Sequence, residues 1–129
     1  MSRERHLFQF HAVQIASAAR AEAAYHDERR KWWETEQELA IAEVKATTSL
    51  EVKEFEITGG KRIDLSINYG DGAAYRRMKE SGEKIATHRE AAERFETDAR
   101  VYGTQGDRIY ELETADVHYY RLGGGPRVD

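Results

Sequence analysis

An α+β fold with two long helices (about 3–47 and 72–102) and two antiparallel β-hairpins (about 52–69 and 108–122) is predicted by three features of this sequence. No glycine or proline occurs before Gly59. The residues Ile63, Leu65, Ile67 and Tyr69 alternate with polar ones. Apolar and small side chains recur at three- and four-residue spacing from Met78 to Tyr102.

The first helix rests on composition. Residues 3 to 47 are rich in Ala, Glu, Arg, Lys and Gln, all good helix formers, with Ala12, Ala16, Ala18, Ala19, Ala21, Ala23 and Ala24 clustered in the first half. An unbroken helix of that length would span roughly 68 Å at the α-helical rise. A domain of this size has a radius of gyration of about 14 Å, so such a helix projects and needs cover from a neighbouring chain. The competing arrangement is a helical hairpin broken near His26-Asp27-Glu28-Arg29-Arg30-Lys31. That run lacks a turn residue, and it holds Asp27/Lys31 and Arg30/Glu34 at the i,i+4 spacing of a solvated helix face.

Thr47, Thr48 and Ser49 end the helix. In the strand after Gly60, Ile63, Leu65, Ile67 and Tyr69 are expected on one buried face. Pairing Ile57 with Ile63 and Phe55 with Leu65 leaves Gly59-Gly60-Lys61 as the turn, and puts Leu50 and Val52 out of phase across a bulge near Lys53-Glu54. Asp71 is the expected N-cap of the second helix. Its inward seam is Met78, Ser81, Ile85, His88, Ala92, Phe95, Ala99 and Tyr102, with Ser81-Gly82 a weak turn. The second hairpin pairs residues 108–113 with 117–122 and puts Tyr110, Leu112, His118, Tyr120 and Leu122 on one face. The alternative for its second arm is a short helix capped near Thr114 and ended by Gly123.

One domain, residues 1–129 with a projecting N-terminal helix, suits the length. Lys and Arg number 20 against 24 Asp and Glu, a net charge of -4, which argues against nucleic-acid coating. The absence of cysteine excludes disulfides and thiolate chemistry. Without a signal peptide or transmembrane pattern at the N-terminus, the expected location is the cytoplasm or an assembly formed there.

The five histidines show no metal-ligand spacing, so neither metal nor cofactor is expected. Catalytic signatures such as a nucleophile elbow or a dinucleotide-binding glycine pattern are missing. Lys61-Arg62, Arg76-Arg77, Arg121 and Arg127 read as a solvated basic face rather than a phosphate site. Two functional constellations remain. Trp32 and Trp33, beside Arg29 and Arg30, point about 100° apart on a helix and are the residue types that anchor interfaces. His88, Tyr102, Tyr110, His118, Tyr120 and Arg121 form a candidate face for a small anionic ligand, if His88 and His118 meet among the tyrosines. The expected function is a non-catalytic assembly or adaptor protein, a homo-oligomer or bound to a protein partner, in keeping with a bacterial or bacteriophage complex. The alternative is a module that binds or sequesters a small ligand such as a nucleotide.

Overall fold

The computed structural model describes residues 6–68 and 72–123; between 49 and 57 it describes the side chains of Glu54 and Glu56 alone, and between 58 and 68 those of 58–67. The elements run β1 (Leu7–His11), α1 (Ala12–Thr47), β2 (Ser49–Ile57), β3 (Gly60–Asn68), α2 (Gly72–Gly103), β4 (Ile109–Glu113) and α3 (Thr114–Tyr119). The fold is α+β, with two long helices and two separate antiparallel sheets, β1–β4 and β2–β3. Two compact units result, Met1–Lys31 with Ala86–Asp129, and Trp32–Ile85. Among the described residues no helix is long and apolar enough to cross a membrane.

In the first unit, the N-terminal segment departs from the expected helix. Residues 7–11 form β1, which pairs with β4 in the register Phe8↔Leu112 and Phe10↔Tyr110. The chain passes from strand to helix without glycine because both conformations lie at negative φ. Gln14 makes the junction: its Oε1 accepts from the His11 backbone N–H at 2.8 Å, the reciprocal half of a capping box. The Ala12 N–H donates to the Arg108 carbonyl at 2.8 Å, tying the helix start to the β4 approach.

The predicted second hairpin is therefore not formed. β4 takes β1 as its partner, and residues 114–119 are the helix α3, the alternative reading of that arm. Arg121, at φ 52°, provides the left-handed residue that ends it, and the Leu122 N–H returns to the Val117 carbonyl at 3.0 Å. The core of this unit joins Ile15, Ala19 and Ala23 of α1 to Ala91, Phe95 and Ala99 of α2, with Leu112 and Tyr120 closing it. Alanines on both helices permit close backbone approach, and Phe95 supplies the bulk. The α2 seam follows the expected spacing: Ser81, Ile85, His88, Ala92, Phe95 and Ala99 are all buried.

In the second unit, α1 ends where Thr47 and Thr48 turn their hydroxyls back to the Glu43 and Val44 carbonyls. Helix α2 continues through Ser81-Gly82. The Ser81 hydroxyl bonds the Arg77 carbonyl at 2.7 Å, and a Cβ at position 82 would stand 3.2 Å from Gln37 Nε2.

The hairpin register also differs from expectation. Thr58-Gly59 forms a two-residue turn with Gly59 at φ 94°, so Ile57 pairs with Gly60, Phe55 with Arg62, Val52 with Leu65 and Leu50 with Ile67. No bulge interrupts β2, because the tighter turn already brings positions 50 and 52 level with the apolar positions of β3. Tyr69 and Asp71 lie outside the described residues.

Candidate functional site

The second unit holds the tryptophan pair. Trp32 and Trp33 diverge from α1 with rings 4.8 Å apart at 89°. Trp32 is 47% exposed, whereas Trp33 is half-buried, its indole N–H enclosed without a hydrogen-bond partner. Lys84 of α2 sits 6.0 Å from the Trp33 ring. A cavity of about 280 Å³ opens beside them, lined by both tryptophans, Glu36, Leu39, Arg77 and Ser81. Leu39, two turns beyond Trp32 on the same helix face, is 62% exposed. Arg77 spans the cavity rim to Glu43 with a 2.6 Å bond between two exposed side chains, an ion pair worth a fraction of a kcal/mol.

The β3 side chains expected on a buried face lie open. Ile63, Leu65 and Ile67 are 57%, 67% and 57% exposed. Their alternation is that of a strand with one apolar face, but a two-stranded ribbon has no second layer of its own to bury it. Leu39 and these three residues are absent from the interface predicted by sequence. For the three β3 residues the signal was the alternation itself, read as a core face.

Arg29 and Arg30, the basic flank of the predicted interface, belong to the first unit. Arg30 bonds Asp27 at 2.7 Å, with Lys31 on the other Asp27 oxygen at 3.3 Å. These cations hold the Asp27 carboxyl below its usual range, the Arg30 hydrogen bond being the largest cause. Arg29 is half-buried.

The first unit also contains the predicted ligand face, assembled differently. Tyr102 meets Tyr110 and Tyr120 edge-on, with ring centres 5.2 and 6.1 Å apart. The Tyr110 hydroxyl donates to Gln105, and that of Tyr120 to Asp98 at 2.9 Å. His88 is buried, and its Nδ1 lies 2.8 Å from Nδ1 of His26, which in turn stacks on Phe95. One of these two nitrogens donates while the other accepts. His118 is exposed on α3, so the expected approach of His88 and His118 is replaced by the His26–His88 pair. The change from strand to helix after Glu113 is the reason, since it breaks the period that placed residues 110, 118 and 120 on one face. Arg121 reaches the buried Glu22 of α1, its guanidinium 3.5 Å from the carboxylate. One member of each other predicted basic pair also has an acidic partner: Arg62 bonds Asp64, and Arg77 bonds Glu43. Arg127 lies outside the described residues. Among the described residues no three His, Asp or Glu side chains are grouped to hold a metal.

Burial, then the Asp98 carboxylate, pushes the Tyr120 phenol well above its usual range. In the unfolded chain that phenol ionises near pH ~10. The folded state keeps its proton beyond that point, so stability present below about pH 10 falls as the pH rises further. Tyr119, also raised by burial, adds to the same decline. Tyr120→Phe is expected to cost about 1 kcal/mol at pH 8 through the lost hydrogen bond and to flatten the alkaline limb. Urea midpoints measured between pH 8 and 11 check both; an unchanged limb would place the titrating group elsewhere.

No family model matches the chain, and no curated protein or solved structure matches it either.

Proposed function

We propose that this chain is a non-catalytic assembly or adaptor protein whose contact surface lies in residues 32–85. One observation carries the reading: six large apolar side chains described in that unit face solvent. Trp32, Leu39, Ile63, Leu65, Ile67 and Tyr75 are between 38% and 67% exposed, while the described apolar residues it buries are Ala40, Ala74 and Ile85. The first unit, by contrast, contains the whole buried cluster around Phe95. The first unit also exposes Leu7, Phe8, Val13, Val101, Ile109 and Tyr119, so what sets the second apart is open apolar surface without a comparable buried cluster beneath it, the pattern of a surface completed on association.

Removing an interface tryptophan commonly costs 2 kcal/mol or more of binding energy, a roughly thirtyfold loss of affinity. Trp32→Ala is therefore expected to weaken association about thirtyfold while leaving far-UV circular dichroism unchanged. Trp33→Ala, at a half-buried position, should lower the melting temperature as well. Sedimentation velocity of the full chain across the micromolar range checks this. A parent that stays monomeric, and recovers no partner, would sink the assembly reading.

A further inference from the structure

We infer that β3 is a self-pairing edge: two copies of the chain join antiparallel along residues 62–68 about a two-fold axis through Leu65, forming a four-stranded sheet β2-β3-β3-β2. The inference rests on the assembly reading above and names its partner, a second copy. The hairpin is two-stranded, and isolated two-stranded ribbons are marginal in water; three or more strands with an apolar face are needed for independent stability.

The two edges of the hairpin differ in chemistry. β2 carries Glu51, Lys53, Glu54 and Glu56 along its length, the charge pattern that blunts an edge against pairing. Paired with itself about Glu54, it would set Glu54 opposite Glu54. β3 reads Ile63-Asp64-Leu65-Ser66-Ile67, and its single charge in that stretch is met on the same strand by Arg62 at 3.1 Å.

That stretch is also palindromic in character. An antiparallel pairing about Leu65 sets Ile63 opposite Ile67, Leu65 opposite Leu65, Asp64 opposite Ser66 and Arg62 opposite Asn68, with no like charges facing one another. Apolar residues opposite apolar ones are the favourable cross-strand pairs. The six exposed side chains Ile63, Leu65 and Ile67 of the two copies then form one continuous apolar stripe, where each copy alone presents three isolated ones.

The chain contains no cysteine, so single introduced thiols report the pairing without background. Residues directly opposite in an antiparallel pair have Cα atoms about 4.5–5.5 Å apart, within the span of a disulfide. In the full chain under mild oxidation, Leu65→Cys is expected to give a covalent dimer as the main product, at least tenfold more than Glu56→Cys on β2. Asp64→Cys mixed with Ser66→Cys should cross-link more than either alone, which tests the register at two further exposed or half-exposed positions. If sedimentation shows a dimer but Leu65→Cys cross-links no better than Glu56→Cys, self-pairing of β3 is overturned and the assembly reading stands on another surface. A monomer at every concentration overturns the self-pairing, and the assembly reading falls with it only when no protein partner is recovered either.

Discussion

Replacing Phe95 with aspartate is expected to abolish the native state of the first unit. Phe95 is 4% exposed, and its ring lies 4.8 Å from Tyr119, 5.7 Å from His26 and 6.2 Å from Tyr120. Truncation of a buried phenylalanine alone costs about 3–5 kcal/mol. A carboxylate in its place adds the cost of burying a charge in a site built of rings and alanines. Together these reach the ~5–15 kcal/mol total stability of an ordinary domain. Loss of near-UV circular dichroism and of a cooperative thermal transition is the expected readout. Glu96→Ala, one residue along on the exposed face of α2, should stay within about 0.5 kcal/mol of the parent. If Phe95→Asp melts like the parent, the packing of α1 against α2 in this unit has been assigned to the wrong face.

The α2 seam was readable because its spacing is long, uninterrupted and helical: one face from Ser81 to Ala99 is buried as the pattern requires. The β1 strand was hidden by the rule used to find the helix. Gly and Pro mark chain reversals, and passing from an extended to a helical backbone needs neither, so five residues carrying Phe8 and Phe10 in alternation were absorbed into a run of helix formers. Once β1 exists, it supplies the partner of β4, and residues 114–119 no longer need to return as a strand. The first hairpin was readable as an element, whereas its register was not. Choosing between a two- and a three-residue turn shifts every pair, and the choice that aligns Leu50 and Val52 with β3 takes Phe55 and Ile57 out of that alignment.

Site residues were legible by type and less so by setting. Adjacent tryptophans on a helix must diverge, and they do, Trp32 outward and Trp33 towards α2. The alternation at Ile63, Leu65 and Ile67 predicted an apolar face but could not say whether the chain itself covers it. His26 and Glu22 share one helical face in the sequence, yet their partners His88 and Arg121 come from segments 62 and about 100 residues away. Contacts at that separation depend on which helix faces meet, and no local pattern encodes them.

Glu22→Ala is expected to be the most damaging polar substitution in the first unit. The Glu22 side chain is 7% exposed and faces the Arg121 guanidinium, 24% exposed, at 3.5 Å. Tyr120, the next residue back, bonds Asp98 of α2, so residues 120 and 121 fasten the end of α3 to both long helices. Removing one member of such a pair leaves the other charge poorly solvated, a loss of about 3–5 kcal/mol when both are buried; the partial exposure of Arg121 puts the expected value at the lower end. Arg121 also stands at φ 52°, a conformation that costs a non-glycine residue roughly 1 kcal/mol. In Arg121→Gly that backbone strain is relieved while Glu22 loses its cation, so the net loss should be smaller than for Glu22→Ala. Chemical denaturation of the two single variants and the double variant measures the coupling, expected at 1 kcal/mol or more. Strict additivity would mean that the two charges do not sense one another.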